Sequence, residues 1–139
     1  MDQTERGDAT SQGAPDFENE APALRTFTMP RDLNGNGDVF GGWVLSQMDL
    51  AGGAVAAKRA KGKVATVGIE AMKFHRPISL GDEVNCYCRI LKVGNTSIKV
   101  LIETWVRAWG NPDGYKVTEG VFTFVAIGED RKPRPVPPE

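Results

Sequence analysis

The chain has 139 residues, enough for one domain with a real core and too few for two ordinary ones. Seventeen bases against eighteen acids leave it near neutral, but residues 1–22 hold six acids and only Arg6, so the remainder carries 16 bases and 12 acids, a net +4. A mildly basic folded part without a dense Lys/Arg cluster suits an anionic small ligand and argues against a nucleic-acid partner; with no run of 18 apolar residues and no apolar leader, a soluble, cytoplasmic protein with no membrane partner is expected.

Residues 1–22 combine Gly, Ser, Pro, Gln and acids around one aromatic, Phe17, and are expected to be a disordered acidic arm ahead of a single domain at 23–139. Residues 23–29 alternate apolar and polar side chains as a first strand should, and Pro30 closes it. Residues 31–38 are dense in turn formers and suit close approach of backbone to a ligand, with a mere connection as the plainer reading. The stretch from Asp38 to Gly53 then reads as the start and middle of one long helix that runs on through Ala60 to a stop at Gly62. Phe40, Val44, Met48, Ala51 and Val55 recur at the spacing of one buried face, and Lys58 and Arg59 suit the macrodipole of the last turn.

Four strands follow, at 64–74, 83–93, 97–109 and 115–127, joined by short turns that predict an antiparallel meander. Along the third of these, Ile98, Val100, Ile102, Thr104 and Val106 would face the helix. The opposite face carries Lys99, Leu101, Glu103 and Trp105; it is not cleanly polar and, like the sheet edges, calls for cover, so an oligomer is expected. The fold class is therefore α+β, one long central helix wrapped by a curved antiparallel sheet of about five strands. Residues 132–138, rich in proline, should lie extended on the surface without sheet pairing. Cys86 and Cys88, one residue apart on a strand, are poorly placed to bridge and read as buried core thiols in a reducing compartment. His75 completes no metal-ligand set with them.

Asp49 breaks the local rules. A short carboxylate prefers caps, yet this one lies inside the helix between Met48 and Leu50, close to Gly52 and Gly53. The free N–H groups at Gly41, Gly42 and Trp43 form a partial positive pole that glycine lets an oxyanion approach. Eight helical residues span about 12 Å, too far for Asp49 and that pole of one chain to act on one carbonyl. If both act on one substrate they belong to two protomers with helices antiparallel, a packing that Gly52 and Gly53 suit. A solvated acid and a simple Gly-Gly bend are the competing readings.

Several blocks then occur in order: Met29-Pro30, Asn34-Gly35-Asn36-Gly37-Asp38-Val39-Phe40-Gly41-Gly42-Trp43, Ser46-Gln47-Met48-Asp49, Phe74-His75-Arg76-Pro77-Ile78 with Gly81-Asp82, and Tyr115-Lys116-Val117-Thr118-Glu119 before Phe122-Thr123-Phe124-Val125-Ala126. From about Leu24 to Val136 the chain resembles the hotdog-fold acyl-CoA thioesterases, most closely the bacterial YciA type; the acidic arm has no place in that pattern. The resemblance implies a homodimer, usually assembled as a trimer of dimers, that hydrolyses acyl-CoA to free acid and CoA. It implies Asp49 as catalytic carboxylate, Asn34 as the loop amide acting with it from the other subunit, and Gly41 or Gly42 as backbone donor to the thioester carbonyl. Thiolate is a good leaving group, so neither metal nor redox cofactor is called for, coenzyme A being part of the substrate.

Arg76, Lys92, Arg131, Lys132 and Arg134 are candidates for CoA phosphates, as are Thr96 and Ser97 in a turn, each weighed against ordinary solvated surface. Trp105 and Trp109 read as packing residues, and His75, with no acid partner, as a surface or hydrogen-bonded histidine. Two other readings compete: a non-catalytic acyl-CoA binding or sensing module, against which Asp49 argues, and a dehydratase, which would require a histidine on the helix or its entry loop.

Overall fold

In the computed structural model, which describes residues 13–139, five strands form one antiparallel sheet and a long helix lies across it. The elements are β1 (Leu24–Phe27), α1 (Gly41–Ala60), β2 (Val64–Phe74), β3 (Glu83–Val93), β4 (Ser97–Arg107) and β5 (Tyr115–Ala126). Strand order is β1-β3-β4-β5-β2. The expected meander holds for β3, β4 and β5 only. β2 is set down by the helix at the far edge and pairs with β5, placing Thr66 opposite Phe124 and Ile69 opposite Phe122. Two register shifts, at Thr66/Gly68 and Glu70/Lys73, bend this edge strand, and Ala71 in the second has φ 58°.

The core lies between helix and sheet. Val44, Met48, Ala51, Ala56 and Ala60 pack against Ile98, Val100, Ile102, Val106, Phe122 and Phe124, and each large apolar side chain so buried stabilises by about 1.5–3 kcal/mol. The helix-facing set expected on β4 is fully buried. On the helix, the stripe shifts: Phe40 precedes the first turn and stays 51% exposed, and Ala56 and Ala60 take the place of Val55. Gly52 serves the chain's own sheet, not a neighbouring helix, since a Cβ there would stand 2.4 Å from Ile102 Cδ1.

The helix runs to Ala60 as expected, and its cap falls at Lys61, one residue before the expected stop at Gly62. Lys61 takes the left-handed conformation (φ 56°), and the Gly62 N–H bonds back to Ala57 O at 3.2 Å. Gly62 instead makes room for Arg134, whose Nη2 donates to Ala60 O (2.8 Å) and Nε to Ile127 O (3.1 Å). Arg59 donates to Pro137 O at 2.6 Å. The tail is extended as expected but not unpaired, because the N–H groups of Arg134 and Val136 donate to Ala126 O and Asn95 O.

The outer face of the sheet is covered in part by residues expected to be an unstructured arm. Residues 1–12 of that arm lie outside the described residues. Phe17, however, is buried edge-on against Tyr87 and Trp105, beneath the Arg107 guanidinium, in space left by Gly114. Arg107 pairs with Glu83 at 2.8 Å and with Glu18 at 3.1 Å, and Asn85 bonds Arg25 and Glu83. Burial alone would raise the Glu83 carboxyl, but hydrogen bonds from Arg107 and Asn85 and the charges of Arg107 and Arg25 hold it below the usual range. Trp105 is a packing residue as expected; Trp109 is not, lying 77% exposed against Phe27. Cys86 is buried and Cys88 half-buried, both unpaired, and burial pushes their thiols up to about 11 and about 12.

Candidate active site

The loop ahead of the helix is folded tightly enough to aim its side chains. Asp32, buried, accepts the Met29 N–H at 2.8 Å, and Leu33 bridges to Val39. Between them Asn34 turns the chain back: its side-chain oxygen accepts the N–H groups of Asn36 (2.8 Å) and Asp38 (3.2 Å), an Asx turn that Gly37 completes at φ 85°. The oxygen is thereby committed to the loop, and the amide NH2 is the end of Asn34 able to donate outward.

Phe40 leads into the helix with extended backbone and no capping side chain. Its carbonyl accepts the N–H groups of Trp43 and Val44. Trp43 thus leaves the set of free donors, and Gly41 and Gly42, both exposed, hold the uncapped positive end. These features converge on a cavity of about 380 Å³ lined by Asn34, Gly41, Val44, Phe74, His75 and Arg76, with Ile78 and Val117. Its lining mixes apolar side chains with the Gly41 backbone, the Asn34 amide, the Asp38 carboxylate and the Arg76 guanidinium, a chemistry suited to an acyl compound whose anionic end lies toward Arg76.

Asp49 is half-buried on the same helix and outside this lining. About 12 Å of helix rise separates it from Gly41. It accepts a hydrogen bond of 2.5 Å from Thr66 on the edge strand. Around it α1 and β2 are open: Leu50 is 62% exposed, Val67 61%, Phe74 52% and Ile69 44%.

The remaining candidates divide between the two ends of the helix. Arg76 is exposed on the cavity rim, stacked 4.4 Å over the Tyr115 ring. Burial and the charge of Asp82 raise the Tyr115 hydroxyl, and Arg76 opposes the shift. His75 lines the same cavity, its backbone N–H donating to Val117 O. Thr96, Ser97 and Arg134 are elsewhere. Thr96 closes the β3–β4 turn, its carbonyl accepting the Ala126 N–H, Ser97 opens β4, and Arg134 is bound to Ala60 O at the C-terminal end of the helix and to Ile127 O. A phosphate there would have to compete with those contacts. Sequence reasoning missed Thr66, which as one β-branched residue in a strand gives no signal; the bulge beside it is visible only in the register. Among the described residues no cluster of three or more His, Cys, Asp or Glu is placed to hold a metal ion, and no helix is long and apolar enough to cross a membrane.

Residues 36–107 match the thioesterase superfamily model. The acyl-CoA thioester hydrolase YciA of Salmonella typhimurium is 51% identical over 117 residues, covering 82% of this chain and 88% of the relative. The hexameric thioesterase y2039 of Yersinia pestis superposes with a TM-score of 0.82 at 45% identity, covering 87% of this chain and 98% of that one. Cj0915 of Campylobacter jejuni, a hexameric hotdog fold thioesterase, gives a TM-score of 0.79 at 36% identity, covering 85% and 91%.

Proposed function

This chain belongs to the thioesterase superfamily and is an acyl-CoA thioester hydrolase, and from that premise we propose a catalytic centre assembled from two protomers. The observation that carries it is the separation along one helix of two incomplete half-sites: free glycine N–H groups beside Asn34 and a substrate-sized cavity at the start, and a carboxylate about 12 Å further on. A two-fold axis between antiparallel helices brings the carboxylate of one protomer to the cavity of the next, and the long, exposed β2 edge with its apolar neighbours suits that contact. The hexameric relatives support a trimer of such dimers. Unpaired Cys86 and Cys88 fit a reducing cytoplasm.

In this reading the thioester carbonyl accepts hydrogen bonds from Gly41 or Gly42 N–H, which stabilise the negative charge that develops on its oxygen. Asp49 of the facing protomer removes a proton from water as the water oxygen bonds to the carbonyl carbon, or attacks that carbon itself to give an anhydride that water then opens. Either way the C–S bond breaks, the electron pair leaves on sulfur, and the CoA thiolate takes up a proton. The Asn34 amide orients the water or the carboxylate, and Arg76 offers its charge to a CoA phosphate.

Asp49→Ala, assayed for free thiol release on a panel of acyl-CoAs, should lose two to three orders of magnitude in turnover, roughly 3–4 kcal/mol. Near-wild-type turnover by a folded, assembled variant would overturn the shared centre.

A further inference from the structure

Arg76 is the guanidinium on the cavity rim, and its surroundings differ from those of four other arginines. Arg25, Arg59, Arg107 and Arg134 each donate to oxygen acceptors of the chain. Among the described residues Arg76 donates to none, and the Tyr115 ring takes its face instead, with the guanidinium carbon 4.4 Å from the ring centroid. A stacked guanidinium is held through its face, so the N–H groups around its edge stay open to form the fork that matches phosphate oxygens.

The sheet supplies the frame for this stack. Tyr115 opens β5 opposite Val106 on β4, half-buried and packed against the core. The segment that carries Arg76 leaves β2 after Phe74 and is tied back to β5 on both sides of the arginine. Ahead of it the His75 N–H donates to Val117 O at 2.7 Å, and behind it Pro77 O accepts the Tyr115 hydroxyl at 3.4 Å. Pro77 also disfavours helical backbone at Arg76. His75, Arg76, Pro77 and Val117 all line the cavity, so the tie and the stack sit at its mouth. A solvated arginine must give up the freedom of its long side chain to grip a phosphate, whereas a stacked one has given it up before the ligand arrives.

We infer that Tyr115 is a positioning residue for substrate binding, its ring holding the Arg76 guanidinium edge-out toward the phosphates of the CoA moiety. The inference rests on the role proposed for Arg76. Full-length Tyr115→Leu, Tyr115→Val, Tyr115→Phe and Arg76→Ala would be compared with wild type on butyryl-CoA and on butyryl-pantetheine, which keeps the thioester and lacks every phosphate, with light scattering and thermal unfolding in parallel. Tyr115→Leu and Tyr115→Val should raise KM for butyryl-CoA about 5- to 20-fold, the range for losing a partly desolvated cation–π contact, with kcat and the KM for butyryl-pantetheine changed less than about twofold. Tyr115→Phe keeps the ring face and should stay within about threefold of wild type. Arg76→Ala should raise KM for butyryl-CoA at least as far as Tyr115→Leu, and adding Tyr115→Leu to it should cost nothing further. Wild-type KM in folded Tyr115→Leu and Tyr115→Val, with Arg76→Ala impaired, would overturn the Tyr115 assignment alone. An equal rise for both substrates in those variants, a loss in Tyr115→Phe as large as in Tyr115→Leu, or a full further rise in the double variant would do the same. An unchanged KM for butyryl-CoA in Arg76→Ala would overturn both assignments.

Discussion

The outer face of the sheet and its β2 edge meet solvent in opposite ways. On the outer face, charged and aromatic groups find partners within the chain: Arg107 is held by Glu83 and Glu18, Trp105 donates to Glu103, and Phe17 is folded back over both Trp105 and Tyr87. Along β2 the strand is bulged twice, Val67, Ile69 and Phe74 lie open, and Asp49 has one hydrogen-bond partner among the described residues. Stability of the protomer is concentrated where contacts are internal, and the proposed chemistry where they are incomplete. The half-apolar outer face that argued for an oligomer is covered in part by the chain itself, and the surface that asks for a second copy is the other one.

The sharpest way to break this contrast is to charge the open side. Val67→Lys combined with Ile69→Lys should reduce the assembly to smaller species by light scattering and lower turnover by at least about 100-fold, the scale of losing one preorganised catalytic group, with circular dichroism unchanged. An intact, active assembly would place the shared centre elsewhere. On the covered side the opposite dissociation is expected. Phe17→Ala should cost about 2–3 kcal/mol, below the full core value because the arm can relax, while kcat stays at the wild-type level. Urea unfolding followed by tryptophan fluorescence would read it, and unchanged stability would show that the arm merely rests on the sheet.

The smallest effect is pH-dependent. Glu83 is held below its ordinary value of 4.5 in the folded chain, so its contribution is present above that value and is lost as pH falls through the lower, folded one. Glu83→Gln should therefore be less stable than wild type by about 1 kcal/mol at neutral pH, with the gap closing in acid. A gap that widens on acidification would reverse the assigned sign.

How much was legible in the sequence follows the same division. β2 and β3 have the predicted limits because runs of β-formers bounded by Gly, Pro and Asp state their own length. Ile98 to Val106 declared its buried face by alternation alone. Pairing of β2 with β5 was not legible, since edge choice depends on where the helix delivers the chain. Asp49 drew notice as a helix breach, and Asn34, Gly41 and Arg76 meet at one cavity. Phe17 was hidden by its company: one aromatic among acids reads as solvated until Gly114 and Arg107 make a place for it. Arg134 looked like a free surface cation because nothing local reveals carbonyls supplied by a helix 74 positions away.

That last contact also sets an order of closure. The hairpins joining β3, β4 and β5 need only neighbouring residues and can zip as soon as their turns exist. The carbonyl of Ala60 has no guanidinium to accept until residue 134 has been synthesised, and β2 has no sheet partner until β5 arrives. During synthesis the helix end and the bulged edge are thus the last parts of the chain to be secured.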